Sequence, residues 1–137
     1  MIMGTEMEQY NILLKAILPE EIFEYFELVN VETTKDHIDV YLDELNIQPE
    51  EYSKEKLISK GFHKASVFQD FPIRDKAVYL HVRRRKWQIE SSGNVISRQW
   101  DLSAQGSRYT KGFATFLKGL HGYLPDKWEK PRKILPH

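Results

Sequence analysis

The chain has 137 residues, of which 41% are hydrophobic and 29% are charged, and it contains no cysteine. These values predict one folded domain and exclude extensive disorder, disulfides, thiolate zinc sites and cysteine nucleophiles. Basic and acidic residues balance at 20 each, but residues 1–60 carry a net charge of 5 − 14 = −9 and residues 61–137 carry 15 − 6 = +9.

Residues 8–18 predict an amphipathic helix. Its apolar side chains follow helical spacing at Tyr10, Leu13, Leu14, Ile17 and Leu18. Pro19 ends this helix and opens a second, shorter helical turn, since proline is favoured at the first helical position.

The pattern then changes to alternation, which predicts a β-hairpin. Its strands span residues 26–33 and 37–45, joined by a polar turn at residues 34–36. We expect Ile38, Val40 and Leu42 on the buried face. The opposite face carries Asp39, Tyr41 and Asp43, and is expected to be exposed and acidic. In the first strand, the same alternation puts Phe26, Leu28, Asn30 and Glu32 on one face.

The middle of the chain predicts a short helix followed by several strands. The helix spans residues 53–60 and is stopped by Gly61. A loop at residues 70–75 and a turn at residues 91–94 separate the strands. The strands are expected at residues 62–68, at 76–85 with a continuation to 90, and at 95–101.

Near the end, Ser107 is a suitable cap for an amphipathic helix that ends near Gly119 or Gly122. Its apolar face consists of Tyr109, Phe113, Phe116, Leu117 and Leu120. The fold class predicted from all these segments is α+β, with an N-terminal helix, β-hairpins that form a small antiparallel sheet, and a C-terminal amphipathic helix. A single domain is expected over residues 1–124, followed by a basic, proline-containing tail at 125–137 that is expected to be mobile.

The densest chemical feature is the run Arg83-Arg84-Arg85-Lys86-Trp87. Adjacent cations repel one another, but they become favourable when phosphates approach and counterions are released. Alternation places Arg83 and Arg85 on one face and Arg84 and Lys86 on the other. Trp87 either stacks on a base or anchors the strand in the core. The alternative without a binding role is that this run belongs to a solvated strand, whose charges prevent edge-to-edge aggregation.

A second basic surface is predicted at the start of the last helix, where backbone amides and the hydroxyls of Ser107 and Thr110 favour phosphate. The charge split between the halves has two compatible interpretations. Either the halves pack together and neutralise each other, or the basic half faces a polyanion. The residues predicted to contact DNA are Arg83, Arg84, Arg85, Lys86, Arg98, Arg108 and Lys111.

Catalytic and metal-binding patterns are missing from the sequence. The five histidines do not follow ligand spacing, and no phosphate-binding loop or nucleophile elbow is present. We therefore predict no metal, no cofactor and no enzymatic activity. A small nuclease that uses His81 and a carboxylate is the weakest alternative. No run approaches the ~18–20 apolar residues of a membrane span, and no signal peptide is evident, so we expect a cytoplasmic protein without membrane contacts.

The residues of this basic region resemble a known family. The segment FQDFPIRDKAVYLHVRRRKW at residues 68–87 is similar to the N-terminal region of bacterial insertion-sequence transposases that carry a zinc ribbon ahead of a helix-turn-helix and a DDE catalytic domain. The shared features are an Asp-x-Pro loop, an aliphatic strand and an arginine doublet. Gln99-Trp100 and Arg108-Tyr109-Thr110 resemble the continuation into the first DNA-binding helix. The similarity spans residues 10–122 and extends to bacteroidetes-type elements that encode this region as a separate short protein.

The chain departs from the family where the family has its two cysteine pairs. It has residues 49–60 and 88–94 at those places, without thiols. The resemblance therefore implies a metal-free ribbon that is held by aromatic packing, with Phe62, Phe68, Trp87 and Trp100 as the candidates. It also implies recognition of the terminal inverted repeats of the element, with catalysis by a partner transposase chain. The main alternative is a protein-interaction subunit whose acidic hairpin docks the catalytic chain or another copy in a homo-oligomer.

Overall fold

The computed structural model describes residues 4–100 and 109–122. Its class is α+β, as predicted. The tail at 125–137 and the residues Asp101, Ser107 and Arg108 lie outside the described residues. The elements in chain order are α1 (Gly4–Ile17), α2 (Ile22–Tyr25), β1 (Phe26–Thr33), β2 (His37–Glu44), a 3₁₀ turn (Glu50–Tyr52), β3 (Leu57–Phe62), β4 (Ser66–Ile73), β5 (Lys76–Arg83), β6 (Arg85–Ile89), β7 (Val95–Ile96) and α3 (Lys111–Leu120).

The strands form two sheets instead of one small antiparallel sheet. The first has four strands in the order β1-β2-β5-β4, and the second has three in the order β3-β6-β7. In the first sheet β2 pairs with β5 in parallel, while β1–β2 and β4–β5 are antiparallel. The expectation of antiparallel hairpins alone was therefore incomplete. Both sides of β2 are paired, so the first hairpin forms part of a mixed sheet.

The basic run lies where the chain passes from one sheet to the other. The continuous strand predicted over residues 76–90 is divided at Arg84, the residue between β5 and β6. Residues before it pair with β2 and β4, and residues after it pair with β3 and β7. The carbonyl of Arg84 accepts the backbone N–H of His63 at 2.8 Å. The division arises because β5 and β6 have different neighbouring strands.

The helices and one face of the four-stranded sheet enclose the main core. Leu14 of α1 and Leu18, the residue after that helix, belong to it, and the buried face predicted for α3 is confirmed. Gly112 allows a close approach at this point, because a Cβ atom there would lie 2.8 Å from Pro19 Cγ. The core consists of Leu14, Leu18, Ile22, Phe26, Leu28, Val40, Leu42, Phe68, Val78, Leu80, Val82, Trp100, Phe113, Phe116, Leu117 and Leu120.

Helix α3 begins later than the sequence indicated. Thr110 is extended, and its Oγ1 accepts the N–H of Phe113 at 3.2 Å. This hydrogen bond makes Thr110 the N-cap, so the first helical residue is Lys111 and not the residue after Ser107. The helix ends at Leu120, and Gly122 follows with φ +80°.

The helix predicted at residues 53–60 is wrong. A 3₁₀ turn at Glu50–Tyr52 is followed by β3, which pairs with β6 and places Ser59 opposite Trp87. Pairing with β6 overrides the local helical preference of these polar residues. Gly61 has φ +86° at an irregularity of the β3–β6 register, so it shapes a strand and does not stop a helix.

The structure also changes three other predictions, which concern the faces of β1, the end of β4 and the length of the last strand. A bulge between Leu28 and Asn30 shifts the alternation of β1, so that Val31 packs against the core where Asn30 had been expected to share a face with Leu28. Strand β4 runs on into the predicted loop, because the reversal needs only Arg74 and Asp75. The last predicted strand is confined to Val95–Ile96.

The four aromatic residues expected to hold a ribbon separate into different environments. Phe68 and Trp100 belong to the main core. Trp87 is buried in the three-stranded sheet and lies outside that cluster. Phe62 is half-buried at the end of β3. Only Phe62 and Trp87 lie in the strands of the three-stranded sheet, so the four aromatics do not form one cluster.

Candidate nucleic-acid interface

The first arginine of the basic run joins the two halves of the chain. Arg83 donates from Nε and Nη2 to Oδ1 and Oδ2 of Asp43, at 2.7 and 2.6 Å. This pairing raises the pKa of Arg83. The guanidinium also lies over the ring of Phe62, at 4.3 Å from its centroid. At this pair the acidic and basic halves neutralise each other.

Arg85 and Arg98 converge on one buried carboxylate at the junction of the sheets. Glu44 is 1% exposed, and its oxygens accept the backbone N–H of Arg85 at 3.0 Å and Nε of Arg98 at 3.2 Å. Arg98 also donates to the carbonyl of Ile47 at 2.6 Å, and Arg85 donates to Ser59 Oγ at 2.8 Å. Burial raises the pKa of Glu44, against the opposing effect of these hydrogen bonds. These arginines stabilise the fold.

Arg84 and Trp87 also face inward to a large extent. Arg84 donates to the carbonyl of Arg98 at 3.1 Å, and burial lowers its pKa. Trp87 is 4% exposed. The structure supports the interpretation that Trp87 anchors its strand in the protein interior, because a side chain that is so deeply buried is not available to stack on a base.

Two lysines of the three-stranded sheet are not held by the contacts that occupy the arginines. Ser59 pairs with Trp87 on the inner side, so Lys86, the neighbouring residue in β6, lies on the other side. Lys60 is exposed and lies at the irregularity of the β3–β6 register between Ser59 and Phe62. Within residues 4–100 and 109–122, neither lysine makes an ion pair. Lys60 had not been singled out from the sequence, because its segment was predicted to be helical. We define the outer basic face as the side of the sheet on which the strand register places Ile58, Lys86, Gln88 and Val95, together with the exposed Lys60 two residues after Ile58.

The pKa of His63 is influenced by positive charges at this face. His63 Nε2 lies 2.5 Å from Ser97 Oγ. The pKa of His63 is lowered first by burial and then by the charges of Arg84 and Lys86. Although the chain is neutral overall, a protonated imidazole at His63 would be repelled by the charges of Arg84 and Lys86. The local potential is therefore positive.

Apolar side chains accompany the lysines on the outer basic face. Ile58 is 43% exposed and Val95 is 56% exposed, and both pair with Gln88 across the strands. Toward the end of β6, Lys56 lies 3.6 Å from Glu90 in an exposed ion pair. The face thus combines one exposed and one half-buried lysine with exposed aliphatic surface.

The predicted DNA contacts divide into three groups. Arg83, Arg84, Arg85 and Arg98 hold intramolecular contacts, while Lys86 and Lys111 have no ion-pair partner among the described residues. Arg108 lies outside them. A role in DNA binding stays a prediction for all of these residues.

The hairpin face that had been expected to be free and acidic is largely occupied. The side chains of Asp39 and Asp43 are 15% and 13% exposed. One oxygen of Asp39 lies 3.0 Å from Nε2 of His37 and the other lies 2.7 Å from Nε2 of His81. The prediction that these two carboxylates are exposed was therefore wrong, because β5 supplies partners that the hairpin sequence does not reveal.

The hydroxyl of Tyr41 on this face is expected to lose its proton at a higher pH than an ordinary tyrosine does. Its O–H donates to Glu32 at 2.7 Å, and this hydrogen bond, with burial and nearby carboxylates, raises the pKa of Tyr41 to about 12. The folded protein keeps this proton above pH 10, where the unfolded chain loses it, so stability falls as the pH rises from 10 toward 12. Urea unfolding at alkaline pH should show a smaller decline in Tyr41→Phe. In a tyrosinate absorbance titration, an unchanged late transition in Glu32→Gln would contradict the assignment.

The structure does bring His81 to a carboxylate, as the nuclease alternative requires. Its ring is hydrogen-bonded to Asp39 and stacks on Tyr41, with 4.3 Å between ring centroids. However, the groove beside α1 and the two grooves next to Pro19 and β4 are lined by other residues. The described parts of the chain contain no cluster of His, Cys, Asp or Glu suited to a metal ion.

No family model, curated protein or solved structure matches the chain. In the parts that the structure describes, no helix has the length and apolar character needed to cross a membrane.

Proposed function

We propose that this chain is a DNA-binding module that contacts phosphates through the outer basic face. The observation that carries the proposal is the pair Lys60 and Lys86 of the three-stranded sheet, neither of which makes an ion pair with another described residue. The lowered pKa of the neighbouring His63 supports it, because the cause includes two nearby cations.

The physical basis is the polyanionic character of the DNA backbone. Ammonium groups that approach phosphates release condensed counterions, which favours binding more at low salt. Such contacts position a protein on the duplex without reading the sequence. In line with the resemblance to insertion-sequence transposases, we propose that the module serves at the ends of an element while a separate chain carries DDE catalysis. The proposed setting is cytoplasmic.

The test compares the wild-type protein with Lys60→Gln/Lys86→Gln in a fluorescence-anisotropy titration of a short DNA duplex. Nonspecific binding is expected with a Kd of roughly 10⁻⁴–10⁻⁶ M at physiological salt. Removing two phosphate contacts should weaken binding at low salt. The slope of log K against log salt should become less negative by about 1.8, which is about 0.9 for each lysine.

The matched control is Lys15→Gln/Lys35→Gln, which removes the same charge from exposed positions in the acidic half. This control should bind DNA as the wild type does. Substituting Arg83, Arg84 and Arg85 together would test folding as much as binding, because all three make internal contacts. If the folded Lys60/Lys86 variant kept the wild-type affinity and salt slope, the proposal would be wrong.

The predicted second surface is tested separately through Lys111. Lys111 is exposed at the start of α3, where the N–H and the hydroxyl of Thr110 both donate to the carboxylate of Glu21. The groups of Thr110 that were predicted to favour phosphate are therefore already paired within the protein. Lys111→Gln should reduce the salt slope by about 0.9 if this lysine also neutralises a phosphate. An unchanged slope would confine the interface to the outer basic face.

A further inference from the structure

A groove of about 450 Å³ lies between the end of α1, the end of β4 and the first turns of α3. Its walls are mainly apolar and include Ile17, Pro19 and Phe71. A smaller groove adjoins it, because Pro19, Asp70 and Thr115 line both. Apolar walls with a few polar groups are typical of sites for small molecules. The chemistry of Asp70 and Thr115 therefore decides what the groove can hold.

The side chain of Asp70 lies on the helix-covered side of the four-stranded sheet. Phe68 pairs with Leu80 and Asp70 pairs with Val78, and the register of β4 shifts only after Asp70. Phe68, Val78 and Leu80 all belong to the main core. Because side chains alternate along a strand, the carboxyl of Asp70 lies on the same side as the ring of Phe68. It is therefore directed toward the helices and into the groove.

The carboxylate of Asp70 has no cationic partner among the residues that the structure describes. None of the ion pairs between them includes Asp70. Asp70 is also the one ionisable residue among the described residues that line the two grooves. It accepts a hydrogen bond from the backbone of Phe71, and burial raises its pKa against the effect of that bond. Burying a charge without a partner is unfavourable, so a ligand that supplies a cation would stabilise the ionised carboxylate.

Thr115 makes the same demand on a ligand. Its Oγ1 donates to the carbonyl of Lys111 at 2.9 Å, so the proton of this hydroxyl is used within α3. Toward the groove Thr115 offers only lone pairs, and an ionised Asp70 likewise accepts hydrogen bonds without donating any. A ligand that satisfies both side chains must bring several N–H donors and a positive charge. An ammonium group has both properties.

We propose that this groove binds a small organic cation, with its ammonium group against the Asp70 carboxylate and its apolar body between Ile17, Pro19 and Phe71. An anion would be repelled by Asp70, and a neutral apolar ligand would leave the carboxylate without a partner. The volume of about 450 Å³ suits a molecule with one ring or a short alkyl chain.

The test titrates the full chain with phenethylamine and with phenethyl alcohol, which has the same apolar body without the charge. Backbone amide signals in heteronuclear NMR report where each probe binds. The amine should shift the signals of Asp70, Phe71 and Thr115 in a saturable way. The alcohol should bind about tenfold or more weakly, since it lacks the hydrogen bonds between an ammonium and a carboxylate.

Asp70→Asn keeps the shape of the side chain and removes its charge. This variant should lose about tenfold or more in affinity for the amine and bind the alcohol as the wild type does. The matched control is Asp75→Asn, which removes an exposed carboxylate from the turn after β4. Asparagine tolerates the φ of +68° at Asp75, so this variant should fold and bind the amine normally.

The pH dependence gives a second readout that needs no substitution. Below the raised pKa of Asp70 the carboxyl is protonated and neutral. The affinity of the wild type for phenethylamine, which stays protonated over this range, should therefore fall as the pH is lowered through that pKa. The affinity for phenethyl alcohol should not change, and a parallel fall for both probes would contradict the role of Asp70.

Three other results would overturn the proposal. Equal affinity for the two probes would show that charge is not recognised. Equal losses in the Asp70 and Asp75 variants would show nonspecific attraction. Amine-induced shifts confined to the surroundings of Glu8 and Glu27 would place the cation in the groove beside α1. The inference does not depend on DNA binding, so Lys60→Gln/Lys86→Gln should bind phenethylamine as the wild type does.

Discussion

Glu44→Ala is expected to destabilise the fold by about 3–5 kcal/mol, the usual cost of removing one partner of a buried ion pair. Arg98, 8% exposed, would lose the carboxylate that accepts its Nε, and the N–H of Arg85 would lose its acceptor. Urea unfolding followed by circular dichroism measures this loss. The exposed pair provides the control, because Asp43→Ala should cost only about 0–1 kcal/mol despite the good geometry of Asp43 with Arg83.

One further variant, Glu44→Gln, distinguishes charge from shape at this position. Because burial raises the pKa of Glu44, the folded protein holds the proton of this carboxyl to a higher pH than the unfolded chain does, and the protonated acid resembles glutamine in shape. Glu44→Gln should therefore cost less than Glu44→Ala. The stability that results from the raised pKa of Glu44 is fully present below the pKa of this carboxyl in the unfolded chain. It is lost as the pH rises through the pKa of the same carboxyl in the folded protein. The stability of the wild type relative to Glu44→Gln should decline over that range, and the opposite trend would refute this account.

The Glu44 site shows why the sequence could predict the basic run but not its role. The four consecutive cations are visible in one segment, whereas their acceptors lie far away in sequence. Asp43 is 40 residues from Arg83, and Glu44 is 41 residues from Arg85. Only the parallel pairing of β2 with β5 brings them together. The sequence thus overestimated the number of cations that are free for phosphates.

Local periodicity predicted the elements whose faces are set by burial. Helix α1, the first hairpin, β5 and the apolar face of α3 all follow from it, because their buried residues recur at regular intervals. Strand β3 was missed, since its polar residues allow a helix and only its pairing with β6 makes it a strand. Lys60 was missed for the same reason. Once β3 is recognised, Lys60 lies in a strand that pairs with β6, the strand that carries Lys86.

The second large effect is expected at Phe113, which should lose about 3–5 kcal/mol of stability on substitution by alanine. Phe113 is 0% exposed. Its ring stacks on Tyr25 at 5.8 Å and on Phe116 at 5.9 Å between centroids, and meets Tyr109 edge-on at 5.4 Å. Phe71→Ala is the control, because Phe71 is 60% exposed and should cost about 0.5 kcal/mol or less. A similar loss in the two variants would contradict the assignment of α3 to the core.

Phe113 also connects α3 to the junction between the sheets. The Tyr25 ring that it stacks on lies 5.2 Å from the guanidinium carbon of Arg98, which in turn is bound to Glu44. Groups in one continuous packing chain give non-additive effects, typically by about 0.5–3 kcal/mol. The double variant Phe113→Ala/Glu44→Ala should therefore deviate from the sum of its single variants. Phe113→Ala/Asp43→Ala should be additive, because the contacts of Asp43 lie on the opposite face of the four-stranded sheet.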